Sequence, residues 1–454
     1  MPTLFAFSRL LLVPVLSVCV LAQGISPYPN AITDRSMKAQ TPMAPPSVGM
    51  VFHDPDFGSS MVRVTDANTN PKAPGSYFRN PAPDANEFSP DNRKFYVSGA
   101  NTTLLAFGFE PGTMAISSLP GADGGGGLRL PFRAGPTFSY LDSDLMYGTV
   151  PKTPLTISTY RFSSGKTSPL FDTTKCDTHP ALVAGPKVSS SDLTLSADDN
   201  RIQISAGGNQ FGSRPFVIVY DKKLGCRWYN TQTGEVGGQW GATGTINAPD
   251  RFLVNHSKIS GNGQYARVAV GRTGFYIWDI ATLNLQPCLY KSKGAKCKGY
   301  GSVGYDTYIN APGGVDELNT VRRPLADLAD LTPLIDPLPL PHYFGMEKHF
   351  AWSNGRVNSN VPICGATYSP TGNVEIKQPY DGEIFCIETD GLASTVWRFA
   401  HNRAVWDAEY YWTEPVGNLS LDGRFYIFTS GWDNQVGLDK HGDPRTDVWI
   451  IKLD

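Results

Sequence analysis

Two histidines and one aspartate occupy the same position relative to a recurring turn motif. His256 and His349 each lie four residues before a serine that begins such a turn, and Asp192 holds the equivalent place in a third copy. Imidazoles and carboxylates bind divalent metals, and a neutral histidine can act as a general base. The shared spacing predicts that the three side chains lie at one height in a repeated structure.

Further polar and aromatic residues are candidates for the same site. Glu347 precedes His349 by two residues, so both side chains lie on one side of a strand, and Glu347 joins His256 and His349 as a candidate metal ligand. The other candidates lie in one loop near the C-terminal end. They are Arg403, as a catalytic residue beside the two histidines, and His401, Trp406 and Glu414, which with Asp192 would contact a ligand. The alternative is a purely structural role, in which these residues cap strand ends and form hydrogen bonds with loops.

The elements that position these residues are short strands around a repeated turn. The turn reads Ser-x-Asp/Asn-Gly-like, and Asp, Asn and Gly tolerate the positive φ angles that close β-hairpins. It occurs at Ser89, Ser196, Ser260, Ser353 and Ser420, and weaker copies lie at 141–144 and 304–306. The strands that follow, such as 267–270 and 425–429, are rich in β-branched and aromatic residues.

Seven such units predict an all-β fold. Four-stranded antiparallel sheets at this repeat length are typical of a β-propeller, here with seven blades, although six or eight remain possible. The inner strand of each blade then begins at one end of a central channel, where His256 and His349 would lie. The strand-like segments 48–66 and 447–453 are expected to share the blade that closes the ring.

The N-terminal region predicts export. Arg9 precedes an apolar run, 10–21, that ends in a small-residue cleavage site before Gln23, which is typical of a signal peptide. We therefore expect a signal peptide at 1–22, a flexible arm at 23–46 and one propeller domain at 47–454. The expected product is secreted, extracellular or periplasmic, with no integral membrane segment once the signal is removed.

The cysteines agree with an oxidising compartment. Removal of the signal leaves six cysteines and no CxxC pair, which favours disulfides over metal thiolates. Six cysteines allow 15 connectivities. Because neighbouring strands usually lie close in space, we expect the pairs 176–226, 288–297 and 364–386.

The charge composition restricts the class of partner. The chain has 39 basic and 41 acidic residues, so no global field attracts nucleic acid. Recognition must then be local, at the channel face of what we expect to be a monomer. Among the nine tryptophans, Trp406 is the candidate for ligand contact, whereas Trp397 and Trp412 are expected to pack in the core.

The turn motifs resemble those of known exported propellers. The stretches His256-Ser-Lys-Ile-Ser-Gly-Asn-Gly, His349-Phe-Ala-Trp-Ser-Asn-Gly-Arg and Asn418-Leu-Ser-Leu-Asp-Gly-Arg are similar to TolB-like and WD40-like propellers, including oligogalacturonate-lyase-like proteins. The resemblance spans 48–454. It implies histidines at the channel mouth that bind a divalent metal, and a base that removes the proton next to a uronate carboxylate. Of the functional residues that the resemblance implies, only His256 and His349 can be assigned here, each as a candidate base or metal ligand. The lyases have a His-Pro-His cluster of metal ligands, and Glu347-Lys348-His349 stands in its place.

Two classes of function follow from the sequence. The first is a secreted propeller that binds a glycan or protein partner at the channel mouth without catalysis. The second is a carbohydrate-active enzyme, a polysaccharide lyase that acts on uronate-containing chains with histidine-based and metal-assisted catalysis.

Overall fold

The architecture comes from a computed structural model, which describes most of the 454-residue chain. The described residues are 27–80, 84–133, 135–176, 190–207, 214–247, 250–270, 274–289, 296–297, 301–310, 320–334, 347–352, 361–368, 376, 378–390 and 395–454. The expected signal peptide therefore lies outside the described residues, as does the turn at Ser353.

Antiparallel strands in chain order form seven sheets, which are the blades of a propeller. Two strands, β1 (Val51–His53) and β2 (Ser60–Arg63), precede the first blade. Blade 1 contains β3 (Phe78–Arg79), β4 (Lys94–Gly99), β5 (Thr103–Glu110), β6 (Ala115–Ser117) and β7 (Leu128–Arg129). Blade 2 contains β8 (Thr137–Phe138), β9 (Leu145–Val150), β10 (Thr153–Arg161) and β11 (Lys166–Asp172). Blade 3 contains β12 (Ser190–Leu195), β13 (Arg201–Ala206), β14 (Phe216–Asp221), β15 (Gly225–Asn230), β16 (Glu235–Gly238) and β17 (Gly244–Thr245).

The remaining blades follow the same order from the inner strand outwards. Blade 4 contains β18 (His256–Ile259), β19 (Tyr265–Ala269), β20 (Phe275–Asp279) and β21 (Leu285–Pro287). Blade 5 contains β22 (Ser302–Val303), β23 (Thr307–Asn310), β24 (Val321–Pro324) and β25 (Thr332–Pro333). Blade 6 contains β26 (Glu347–Ala351), β27 (Ile363–Tyr368), β28 (Glu383–Ile387) and β29 (Val396–His401). Blade 7 contains β30 (Gly417–Leu419), β31 (Phe425–Ser430) and β32 (Asp447–Lys452).

Blade 7 is completed by strands from the other end of the chain. β2 pairs with β32, with Met61 opposite Ile451 and Val62 opposite Ile450, and β1 continues the sheet outside β2. This arrangement confirms the prediction that the segments near the two ends share the closing blade. It joins the ring through main-chain hydrogen bonds and leaves few exposed sheet edges.

The recurring turn has one hydrogen-bond pattern. In blade 3 the Ser196 hydroxyl donates to Asp198 Oδ1 at 2.6 Å, and the main-chain N–H of Arg201 donates to Ser196 Oγ at 2.9 Å. The turns that begin at Ser89, Ser260 and Ser420 repeat it. The Ser-x-Asp/Asn spacing therefore fixes the turn between the first and second strands, and these four turns take the expected place.

The core consists of seven apolar clusters of the described residues, one between each pair of neighbouring blades. The cluster between blades 6 and 7 includes Trp397, Trp449 and Trp432, and Trp397 is 5% exposed, as expected for a core residue. A single large core is absent because each sheet buries both faces against its neighbours.

Three disulfides join the predicted pairs, Cys176–Cys226, Cys288–Cys297 and Cys364–Cys386. The last links directly opposed residues on β27 and β28. In the described part of the chain, no helix has the length and apolar character needed to cross a membrane.

Residues 27–46, expected to be a loosely held arm, lie along blades 6 and 7. Ile32 exchanges main-chain hydrogen bonds with Arg398 on β29. The Trp432 indole N–H donates to the Met43 carbonyl at 2.9 Å. The arm therefore packs over part of blades 6 and 7.

Candidate functional site

The channel mouth is the end of the ring at which the inner strands begin. In an antiparallel meander, the loops that enter the inner strands lie at the same end as the loops between second and third strands. His256 is the first residue of β18, and His349 is the third residue of β26. The loops 402–416 and 431–446 open at this same end.

His256 is partly exposed and lies among charged groups. Burial lowers its pKa from 6.5 to about 4, with a further contribution from the positive charge of Arg267. The Asp84 carboxylate opposes this shift, whereas His349 and Arg214 add to it. His256 is therefore a neutral imidazole near pH 7, which can accept a proton or hydrogen-bond a ligand.

An ion pair joins opposite sides of the ring below His256. Asp84 belongs to the inner segment of blade 1, and its Oδ1 lies 3.5 Å from Nζ of Lys258 on β18 of blade 4. Burial opposes ionisation of Asp84, but the charges of Lys258, Arg267 and His256 outweigh it and lower the Asp84 pKa. Lys258 also donates to Ser302 Oγ of blade 5 at 3.3 Å. Asp84 is therefore an ionised carboxylate in the channel.

Two guanidinium groups are held beside His256. Arg267, on β19, lies over the rings of Phe275 and Tyr308, with its Cζ 5.1 and 5.7 Å from the two centroids. Arg214 donates from Nη1 to the main-chain carbonyl of Asn255, the residue before His256, at 3.1 Å. Packing thus fixes both cations near the start of β18.

Among the described side chains near the start of β18, positive charges outnumber negative ones. Lys258, Arg267 and Arg214 supply three cationic groups, and the carboxylate of Asp84 raises the pKa of His256. An excess of fixed positive charge in a concave, partly buried place attracts anions.

His349 is buried, with 5% of its surface exposed, and lies in a second group of residues. Its Nε2 lies 3.4 Å from Glu414 Oε2, and its ring stacks on Tyr368 with centroids 6.0 Å apart. Trp406 packs against Tyr368 edge to face at 5.7 Å. The structure therefore brings together three predicted site residues, His349, Glu414 and Trp406.

A surface of three aromatic side chains and one arginine lies between blades 7 and 1. It consists of Tyr77, Arg79, Tyr411 and Trp412, and we call it the aromatic platform. The rings of Tyr77 and Trp412 stack with centroids 4.3 Å apart and an interplanar angle of 2°. Tyr411 is 56% exposed, and the Arg79 guanidinium lies 5.0 Å from its ring centroid. Trp412, expected in the core, is only partly buried because its indole N–H donates to the Pro444 carbonyl in a surface loop.

Two predicted residues lie beside the outer strands and the arm. His401 Nε2 is 3.7 Å from Asp56 Oδ2 in the turn between β1 and β2. Arg403 Nη1 is 3.1 Å from Asp433 Oδ2, and its Nη2 donates to the Thr41 carbonyl at 2.6 Å. Burial lowers the pKa of His401 to about 4. The roles assigned to His401 and Arg403 at the mouth remain predictions.

Asp192 and Glu347 lie in inner strands, β12 and β26, but their side chains lie outside the described part of the structure. Among the described residues, no three His, Cys, Asp or Glu side chains are grouped as ligands for one metal ion. The metal site formed by His256, His349 and Glu347 remains a prediction.

Sequence reasoning missed Asp84 and Lys258. Lys258 lies two residues after His256, so the period of a strand could have placed both on one face. Asp84 follows the stretch Pro81-Ala82-Pro83, and prolines in a sequence argue against the prediction of a strand. Nothing in the local sequence indicates that Asp84 reaches blade 4.

Comparisons with known proteins show the fold. An oligogalacturonate lyase from Vibrio parahaemolyticus is similar, with a TM-score of 0.53 and 11% identity over 89% of this chain and 96% of that one. An oligogalacturonate lyase in complex with manganese gives a TM-score of 0.50 and 12% identity over 92% and 98% of the two chains. No family model matches the sequence, and no curated protein matches it. The distant resemblance to lyase propellers is thus confirmed in the fold.

Proposed function

We propose that this protein is a secreted propeller that binds an acidic glycan at the channel mouth. The observation that carries the proposal is the positive charge that the described guanidinium groups of Arg267 and Arg214 place on His256, opposed by the carboxylate of Asp84. A uronate residue presents one carboxylate per ring, which matches fixed guanidinium groups better than a neutral sugar does. The neutral His256 would hydrogen-bond a hydroxyl or carboxylate of the same residue.

The aromatic platform supports a glycan over a protein partner. Sugar rings present C–H groups that pack on aromatic faces, and such faces are common where ligands bind. Tyr411 is exposed, and Arg79 adds a cation beside it. A chain with alternating carboxylates and ring faces fits a surface that offers both cations and aromatic rings.

Secretion is part of the proposal. Three disulfides fit an extracellular or periplasmic protein, since such bonds persist in oxidising compartments. The apolar run before Gln23 supplies the export signal.

A second candidate is a polysaccharide lyase, favoured by the pKa of His256. A neutral imidazole can remove the C5 proton of a uronate, after which the C4–C5 double bond forms and the C4–O bond breaks. The proton stays on His256, and the leaving oxygen takes a proton from a mouth acid, for which His349 is the candidate. Arg267 or Arg214 would balance the charge on the carboxylate. If His256, His349 and Glu347 instead held a divalent metal, the metal would supply this charge stabilisation, and a different group would have to act as the base.

The test compares His256→Ala and His349→Ala with His441→Ala, which changes an exposed histidine that is not one of the candidate site residues. Each folded variant is assayed for binding of polygalacturonate, for metal content and for unsaturated product. We expect wild type and H441A to bind, and H256A to bind at least ~10-fold more weakly, the equivalent of about 1.4 kcal/mol.

The outcomes separate the two functions. Binding without unsaturated product supports a binding protein, and product that H256A fails to form supports the lyase. If wild type neither binds nor cleaves acidic glycans, or if both mouth variants match wild type, the proposal is wrong.

A further inference from the structure

A separate cavity lies between the N-terminal arm and the loops of blades 6 and 7. Its volume is about 240 Å³, and its polar walls include Gln40, Asn402, Arg403, Asp433 and Asn434. Gln40 comes from the arm, Asn402 and Arg403 follow β29, and Asp433 and Asn434 follow β31. Three segments that are distant in sequence therefore converge on it.

The backbone is strained around this cavity. Arg403, Trp432, Asp433 and Asn434 have φ angles of 53°, 49°, 56° and 61°, in the left-handed region that side chains other than glycine rarely adopt. This conformation costs residues such as Arg403 and Trp432 about 1–2 kcal/mol, and Asp433 and Asn434 less, because Asp and Asn adopt it more readily. Surrounding contacts hold the conformation, since the Asp433 N–H donates to the Arg403 carbonyl at 2.7 Å and the Trp432 indole to Met43. Strain that is held in this way by surrounding contacts is enriched at ligand sites.

The polar atoms of the cavity are fixed and only partly satisfied. Arg403 is buried and contacts Asp433 and Thr41, while its Nε–H has no hydrogen-bond acceptor. Gln40 Nε2 donates to Asp433 Oδ1 at 3.0 Å. Among the described residues, the exposed amide of Asn434 has no side-chain hydrogen bond. The exposed Asn434 amide is therefore available to a ligand, whereas the Arg403 Nε–H has no accessible surface for a ligand to reach.

The chemistry of the walls selects a small neutral ligand. Arg403 and Asp433 form an ion pair, so their charges cancel and an anion would meet the Asp433 carboxylate. The two amides and the carboxylate offer donors and acceptors close together, which suits adjacent hydroxyl groups. The volume is below that of pockets for drug-sized ligands, about 300–1,000 Å³, and fits one ring.

We propose that this cavity binds a single neutral sugar residue or cyclic polyol. The ligand's hydroxyls accept from the Asn434 and Gln40 amides and donate to Asp433. The arm forms one wall through Gln40, so the site requires the arm to be in place. The cavity site shares no residue with the group around His256 and does not depend on an acidic ligand there.

The test uses ligand-observed NMR and calorimetry with glucose, galactose, mannose and myo-inositol, and galacturonate as the charged comparison. Gln40→Ala changes a residue of the surface arm, so folding is preserved, and Asn434→Gly keeps the left-handed backbone while removing the amide. Gln435→Ala changes the exposed neighbour and serves as the matched control.

We expect at least one neutral compound to bind, and both Q40A and N434G to weaken it at least ~5-fold, or about 1 kcal/mol. Q435A and the mouth variant H256A should bind it as wild type does. The proposal fails if no neutral compound binds, if galacturonate binds better, or if Q40A and N434G leave the affinity unchanged. Loss of acidic-glycan binding at the mouth, with this binding intact, would overturn only the proposed function.

Discussion

Lys258 Nζ lies 3.5 Å from Asp84 Oδ1, although the two residues belong to blades 4 and 1 on opposite sides of the channel. The lysine is 2% exposed and the aspartate 14%. The pair therefore connects two blades that share no strand or apolar cluster. It also sets the charge beneath His256, because the pKa of Asp84 is lowered and its carboxylate stays ionised.

Removal of one member of this pair should destabilise the protein strongly. Asp84→Asn leaves Lys258 and Arg267 buried without their carboxylate, and breaking a buried pair typically costs about 3–5 kcal/mol. Urea denaturation measures the loss. Arg93→Gln breaks the exposed Arg93–Glu110 pair and should cost less than ~1 kcal/mol.

A double-mutant cycle separates the pair from other effects of the substitution. Lys258→Met combined with D84N should recover much of the stability, since no unpaired charge remains between them. Equal losses from D84N and R93Q, or strictly additive effects of D84N and K258M, would contradict the cross-channel pair.

The imidazole of His256 should titrate near pH 4. Burial disfavours its charged form, and Arg267 adds to this, so the folded pKa lies below the ordinary 6.5. A lowered histidine pKa contributes stability that is present above 6.5 and lost as the pH falls towards 4. NMR of ¹³C-labelled histidine measures the midpoint, and exposed His441 is the internal control. A His256 midpoint at or above 6.5 would remove the basis for a neutral base at the mouth.

Asp54→Asn should stabilise the protein at alkaline pH. Burial raises the Asp54 pKa from 3.8 to about 6, and Oδ1 accepts from the main-chain N–H groups of Asp56 and Phe57, which an amide oxygen can also do. A raised carboxyl pKa contributes stability that is present below 3.8 and lost as the pH rises through 6. The gain at pH 8 is at most about 3 kcal/mol and should vanish near pH 4.

Thermal unfolding at both pH values measures this difference, and Asp330→Asn, at an exposed aspartate, is the matched control. A gain of equal size at pH 4 and pH 8 would show that burial of the charge is not its cause.

The three disulfides should differ in their contribution to stability. They close loops with sequence separations of 50, 22 and 9 residues for Cys176–Cys226, Cys364–Cys386 and Cys288–Cys297. The entropy of loop closure predicts losses of about 4, 3.5 and 2.5 kcal/mol when each pair is replaced by alanines. Guanidinium denaturation of the three double variants gives the order. The reverse order, or free thiols in the native protein, would contradict this account.

The turns explain how much of the fold could be predicted. Ser196, Asp198 and the residues after them form their hydrogen bonds within six residues, so the motif and its structure repeat together. The disulfides follow from the same locality, because Cys364 and Cys386 lie on adjacent strands. The composition of blade 7, which closes the ring, could be predicted from the strand-like segments near the two ends of the chain.

The candidate site was less predictable because its contacts join segments that are distant in the sequence. The spacing of His256 and His349 from the turn serines placed them at the start of inner strands. This spacing could not show that Glu414 lies beside His349. Trp412 was assigned to the core from its type alone, whereas a hydrogen bond to Pro444 and stacking on Tyr77 hold it at the surface. Such contacts depend on loop conformations, which short motifs do not determine.

The central claim is that the channel mouth prefers an acidic glycan, and calorimetric titration of matched polymers tests it most directly. Wild type is titrated with polygalacturonate and with a neutral galactan of equal length, at low and high salt. We predict at least ~10-fold tighter binding of the acidic chain, lost as salt screens the cations of the mouth. H256A and Arg267→Gln should lose the same preference. Equal affinity for both polymers, or a preference that survives high salt and both substitutions, would contradict the account.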